Sequence, residues 1–178
     1  MDEISRYAVG LDVGTSTVRA VVASVNAQGA MNVIGYGEMP NSGMRRGTVA
    51  NLTGPAQAID QALGEVERMS GYEVNTATIS INGSQILSTQ AEGMIAVGGS
   101  EHEINETDLR RVEDMALNGR VPANQEILEV VPLQFSLDGQ AGIKDPLGMT
   151  GSRLEMRANV VSTLTPNFDN LLKVAETA

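Results

Sequence analysis

The 178-residue chain contains no cysteine and a single histidine, His102. The first absence removes disulfide frameworks and thiolate-bound zinc. The second leaves no basis for a histidine-centred triad or a histidine-rich metal site. Basic residues are also scarce: 12 Lys and Arg stand against 22 Asp and Glu, a net charge of -10. Such a surface repels phosphate backbones and anionic lipid, so no nucleic-acid partner and no direct membrane contact by this stretch is expected. No apolar run approaches the ~20 residues of a membrane-spanning helix. The segment Met1-Asp2-Glu3-Ile4-Ser5-Arg6 is charged and lacks the apolar core of a secretion signal. The chain therefore reads as soluble and cytoplasmic. Hydrophobic residues make up 42% and charged residues 19%, the composition of a globular protein. The length suits one ordinary domain or two small ones.

The residue pattern predicts β-prone runs over 7–13, 17–25 and 31–38, separated by short turns at Gly14-Thr15-Ser16 and Asn26-Ala27-Gln28-Gly29. Three strands so joined form an antiparallel meander. A loop over 39–51 leaves room for a short strand around Gly47-Thr48-Val49. A helix follows, with Thr53 as its cap, Pro55 in the first turn and Gly71 as its stop. Ile59, Ala62, Leu63, Val66 and Met69 fall at helical spacing and predict its buried stripe. A strand over 77–82 then packs beneath that helix.

After Gly83-Ser84 the pattern changes. Residues 86–97 read as a broken strand pair. Asn105 and Asp108 form a capping-box pattern at the head of a second helix, with Leu109, Val112 and Ala116 on its apolar face. Two long strands over 126–137 and 153–164 flank a polar loop, and a third helix starts at Thr165-Pro166 with Phe168, Leu171, Leu172 and Ala175 at helical spacing. The predicted class is α/β: a ribonuclease H-like layer (1–83, resumed at 165–178) interrupted by a small α+β unit (84–164).

The chemical feature is Gly10-Leu11-Asp12-Val13-Gly14-Thr15-Ser16-Thr17. Gly14 has no Cβ to hold off a phosphate, and the N–H groups and hydroxyls of Thr15, Ser16 and Thr17 are donors for its oxygens. Asp12 repels phosphate, so its sensible role is to hold Mg²⁺ through waters. A plain hairpin turn with a turn-stabilising carboxylate fits the octapeptide equally well. No Lys follows the glycines, so this is not a Walker loop.

The hairpin resembles the first phosphate loop of the superfamily that includes actin, heat-shock chaperones and sugar kinases. Three further stretches narrow the resemblance. They are Ser42-Gly43-Met44-Arg45-Arg46-Gly47-Thr48-Val49, Ile79-Ser80-Ile81-Asn82-Gly83-Ser84-Gln85-Ile86, and Gly142-Ile143-Lys144-Asp145-Pro146-Leu147-Gly148-Met149-Thr150-Gly151-Ser152-Arg153-Leu154-Glu155. From Tyr7 onward the chain resembles the front portion of the FtsA family of bacterial actin-like cell division proteins. That resemblance implies an actin-like subdomain 1A interrupted by a subdomain 1C of SHS2 type, with 1A truncated at Ala178.

It also implies a scaffold, not an enzyme, that links the FtsZ ring to the inner membrane at midcell. ATP with Mg²⁺ would set its polymerisation, and subdomain 1C would recruit later membrane-anchored division proteins. The second phosphate loop, the FtsZ-contacting part and the C-terminal membrane helix are expected beyond Ala178. One wall of a two-walled cleft is expected to bind little ATP alone.

The remaining candidates have plainer readings beside the functional ones. Arg45 and Arg46 read as solvated loop surface before they read as an anion site, and His102 as loop surface before a pH switch. Met69 and Met115 fit helix packing. Glu101, Glu103, Glu106 and Asp108 suit a helix N-terminus, and secondly a docking face for the basic tail of a division protein. The rival classes are an ATP-dependent sugar-kinase-type lobe, which shares the hairpin, and a pilus-assembly actin homologue of similar layout.

Overall fold

The computed structural model describes residues 4–99 and 102–178. The chain divides into two compact units, Met1–Gln85 with Pro166–Ala178, and Ile86–Thr165.

In the first unit, β1 (Ile4–Val13), β2 (Thr17–Asn26) and β3 (Met31–Pro40) form the expected antiparallel meander. β4 (Met44–Arg45) and β5 (Thr48–Val49) make a separate small hairpin. After α1 (Thr53–Ser70), β6 (Thr78–Ile79) joins the sheet parallel to β1, giving the order β3-β2-β1-β6. The strand expected over 77–82 shrinks to these two residues, whose ladder with β1 has only two pairs, Gly10–Thr78 and Leu11–Ile79. Alternation sends Val9, Leu11 and Val13 of β1 and Val18, Ala20 and Val22 of β2 into one core. There they meet Ile59, Ala62 and Val66 of α1, and Leu171 and Val174 of α3 (Thr165–Thr177).

Helix α1 lies so close to β3 that a Cβ on Gly37 would overlap the Ala62 carbonyl, and one on Gly35 would meet the Val66 carbonyl. The cap read at Thr53 is corrected: the Asn51 side chain accepts the N–H groups of Thr53 and Gly54, at 2.8 and 3.3 Å. Gly71 ends the helix in the left-handed region as expected, its N–H donating to Glu67. Met69 is exposed, not buried, because the stripe steps four residues from Val66 to Ser70, whose Cβ packs beside Gly35. In α3, Leu172 is exposed and Val174 takes its place in the core.

The second unit is a four-stranded antiparallel sheet, order β7-β10-β8-β9, with α2 (Glu106–Leu117) packed on it. Its strands are β7 (Leu87–Ala96), β8 (Gln125–Leu137), β9 (Gln140–Ile143) and β10 (Arg153–Leu164). The broken pair read over 86–97 is one continuous strand. Its apparent break, Gly93, is where α2 touches the sheet, and a Cβ there would overlap the Val112 carbonyl. The capping box is present as read: Asn105 accepts from Thr107 and Asp108, and Asp108 accepts from the Asn105 N–H. Val112 and Ala116 are fully buried, whereas Met115 is exposed because it lies a third of a turn off that stripe.

Candidate phosphate-binding hairpin

The β1–β2 register turns the chain at Thr15 and Ser16, with Val13 opposite Val18 and the Gly14 N–H donating to the Thr17 carbonyl at 3.0 Å. Gly14 is required by the hairpin itself, since a Cβ there would stand 2.7 Å from that carbonyl. The turn is braced from two sides. Asn41 donates through Nδ2 to the Gly14 carbonyl at 2.6 Å and through its backbone to Ser16 at 2.8 Å. The Gly47 N–H donates to Thr15 Oγ1 at 3.1 Å, which leaves the hydroxyl proton free. The N–H groups of Thr15 and Ser16 have no protein acceptor among the described residues, and both residues are exposed. Two adjacent N–H groups on exposed residues, with neighbouring hydroxyls, form a donor cluster suited to an anion. Thr17 is partly buried at the foot of β2.

Asp12 points to the sheet face opposite the core. Its Oδ1 accepts the Ser80 hydroxyl at 2.6 Å, while the Ser80 N–H donates to Leu11 at 2.9 Å. Its Oδ2 lies 3.9 Å from a guanidinium nitrogen of Arg19, the residue paired with it across β2. Arg19 in turn faces Glu38 on β3, with Nε 3.3 Å from the carboxylate, and Glu38 accepts the Tyr36 hydroxyl. The Tyr36 hydrogen bond, then Arg19, hold the Glu38 carboxyl below the usual carboxylate range. The same bond to Glu38 raises the Tyr36 phenol. A polar ladder thus crosses three strands and ends at Asp12.

As a Mg²⁺ ligand, Asp12 has one oxygen committed to Ser80 and a half-exposed side chain. No group of three carboxylate, histidine or thiolate side chains gathers among the described residues. An all-protein cage is therefore not the fit. A single carboxylate acting through waters, with phosphate oxygens completing the shell, is. Beside the turn, Asn41 Oδ1 is a buried acceptor without a partner among the described residues, a place for a water and not for a phosphate oxygen. Arg19, Ser80, Asn41 and Gly47 were not singled out for this site from sequence. For Arg19 a signal existed: in a hairpin turning at residues 15 and 16, residue 12 faces residue 19.

The other candidates separate. Glu101 lies outside the described residues. Glu103 is exposed and pairs with Thr150 in an isolated β-bridge. Glu106 is exposed and ion-paired with Arg110 at 3.3 Å. Asp108 leaves the proposed acidic face: it is 4% exposed and held by the cap and by Arg111 at 2.9 Å. The long 142–155 motif is tied to the segment before α2. Ile104 and Gly148 exchange backbone hydrogen bonds with the segment opposite, Gly151 donates to His102, and Pro146 is buried.

Residues 83–162 match the family model described as the SHS2 domain inserted in FTSA. The cell division protein FtsA of Pseudomonas aeruginosa is 36% identical over 165 residues, 93% of this chain and 39% of that protein. FtsA of Borreliella burgdorferi is 34% identical over 96% of this chain and 41% of its own length, and FtsA of Bacillus subtilis is 34% identical over 96% and 38%. The chain thus spans about two fifths of the length of these curated relatives. Among solved structures, the PilM-PilN type IV pilus biogenesis complex superposes with a TM-score of 0.64 over 96% of this chain and 44% of that one. At 15% identity that likeness shows the α/β, actin-like fold alone. Residues 83–162 thus match the SHS2 domain inserted in FTSA, and along nearly all of its length the chain is similar to the FtsA proteins of which it spans about two fifths.

Proposed function

We propose that this chain is the nucleotide-hairpin and recruitment portion of a cell division scaffold. In the intact protein, ATP with Mg²⁺ sets polymerisation, and parts outside this chain join the FtsZ ring to the inner membrane at midcell. The observation that carries the reading is the pair of free N–H groups at Thr15 and Ser16 on a chain matched by FtsA sequences along nearly all of its length. Thr15, Ser16 and Thr17 would donate to phosphate oxygens, and Gly14 would keep the turn tight. Asp12, oriented by Ser80, would hold the waters of Mg²⁺, which neutralises phosphate charge when bound. The role we assign to the cluster is binding, not chemistry. The FtsA relatives favour this reading over the sugar-kinase and pilus-assembly ones.

This portion alone cannot enclose a nucleotide, and calorimetry should find no micromolar ATP affinity for residues 1–178. Depleting the gene that encodes the chain should produce long, undivided cells; normal division on depletion would refute the scaffold reading.

For the inserted unit we propose a second role, recruitment of a later division protein through a basic tail, or a second copy of the scaffold. With Asp108 buried, the described acidic surface for such a tail reduces to Glu103 and Glu106. Reversing both to lysine should weaken the tail's binding and flatten its salt dependence. Unchanged affinity would remove this face from consideration.

A further inference from the structure

We infer that the β4–β5 hairpin is the cationic arm of the phosphate site, and that Arg45 and Arg46 close on the anionic oxygens of a polyphosphate seated at Thr15 and Ser16. The inference rests on reading the β1–β2 turn as a phosphate cradle. Met44 pairs with Val49 and Arg45 with Thr48, so the turn is the two residues Arg46 and Gly47. Both have positive φ, 51° and 79°, the backbone of a type I′ turn. Its first position ordinarily takes Asn, Asp or Gly, and an arginine there bears the strain of the left-handed region.

A turn of the same kind in the inserted unit shows what a side chain at that position can do. Asp138, with φ 50°, precedes Gly139 and accepts the N–H groups of Ser152 and Arg153 at about 3 Å. Its side chain has a structural task. Arg46 has none among the described residues, and neither Arg45 nor Arg46 has a carboxylate within 4.0 Å. In a chain of net charge -10 most arginines find an acid: Arg19, Arg68, Arg110, Arg111, Arg153 and Arg157 all do. Arg6 and Arg120 also have no carboxylate within 4.0 Å among the described residues, but neither lies next to another arginine in sequence.

The arm is held where it would be needed. The Gly47 N–H is bonded to Thr15 Oγ1, and a Cβ on Gly47 would lie 2.7 Å from Gly83, so the tip is pinned between the cradle and the segment after β6. The two exposed arginines thus stand on a hairpin whose tip touches Thr15 of the cradle. Backbone donors with arginine forks suit the several oxygens of a polyphosphate better than a single carboxylate.

The probe is sodium tripolyphosphate, titrated into the nitrogen-labelled 178-residue chain and followed by amide chemical shifts. The Thr15, Ser16 and Gly47 signals should move together and saturate in the millimolar range. The double variant Arg45→Gln, Arg46→Asn should bind about five-fold or more weakly, with a flatter salt dependence. Asn suits the turn, so the variant's melting temperature should match or exceed that of the parent. Equal affinity in the variant, with Thr15 and Ser16 still moving, overturns the arm and leaves the cradle standing. No movement of Thr15 and Ser16 in the parent chain overturns the cradle and the arm with it.

Discussion

In each of the two units a helix lies against a four-stranded sheet at a strand glycine, where the sheet gives up a side chain. Gly37 and Gly35 receive α1, and Gly93 receives α2. Each open face also carries an arginine on its second strand, set between polar cross-strand neighbours. In the inserted unit Arg157 sits between Glu92, at 3.0 Å, and Gln134, and the row stays on the face. In the first unit Arg19 sits between Glu38 and Asp12, and the row ends two residues from a turn with unused N–H groups. The scaffold is shared, but the candidate site lies where a charged row reaches a strand end whose N–H groups have no acceptor among the described residues.

The largest effects should come from the shared feature. Gly37→Ala and Gly93→Ala each force a Cβ into a helix backbone, and each should cost about 1–3 kcal/mol. Hydrogen exchange should register the loss in α1 for the first and in α2 for the second; a free exchange of Gly93 for Ala would break the parallel. Next come the caps. Asn105→Ala removes half of a reciprocal box and should cost about 1 kcal/mol in urea unfolding. Asn51→Ala, which loses two acceptor contacts without a reciprocal partner, should cost less. The exposed Glu92–Arg157 pair should contribute about 1 kcal/mol or less in a double-mutant cycle.

The smallest effect separates the two rows by pH. Glu38, held below the usual carboxylate range, contributes stability above its unfolded value and loses it as pH falls through the lowered one. Tyr36 works in the other direction. Its contribution is present below the ordinary phenol value of about 10 and is lost as pH rises through the raised one. Glu38→Gln should therefore bring the Tyr36 ultraviolet titration back down. An unmoved titration would mean that the row is not coupled.

Much of the architecture was legible because its signals are local. Asn105 and Asp108 wrote the capping box, Gly71 the helix stop, and Gly14-Thr15-Ser16 the first hairpin. What was misread depends on partners distant in sequence. Gly93 looks like a break until α2 is placed upon it, and Ser70 replaces Met69 in the stripe only because Gly35 leaves room. β9 follows Asp138-Gly139, a strong hairpin signal inside a loop that is polar overall. Asp108 was placed on a docking face because its charge is visible in sequence and its burial is not. At the site, the turn residues were found from their order, whereas Arg19 and Ser80 required the register of the sheet.

The Ser80–Asp12 hydrogen bond joins residues 68 apart, while Arg19 reaches the same carboxylate across one tight hairpin. Closing the long loop costs more chain entropy than closing the short one, so the arginine contact can form with the meander and the serine contact waits for β6. Asp12 is thus met first by a cation and only later by the hydroxyl that fixes its orientation. Loop closure thus favours the hairpin contact over the one that fixes the carboxylate's orientation.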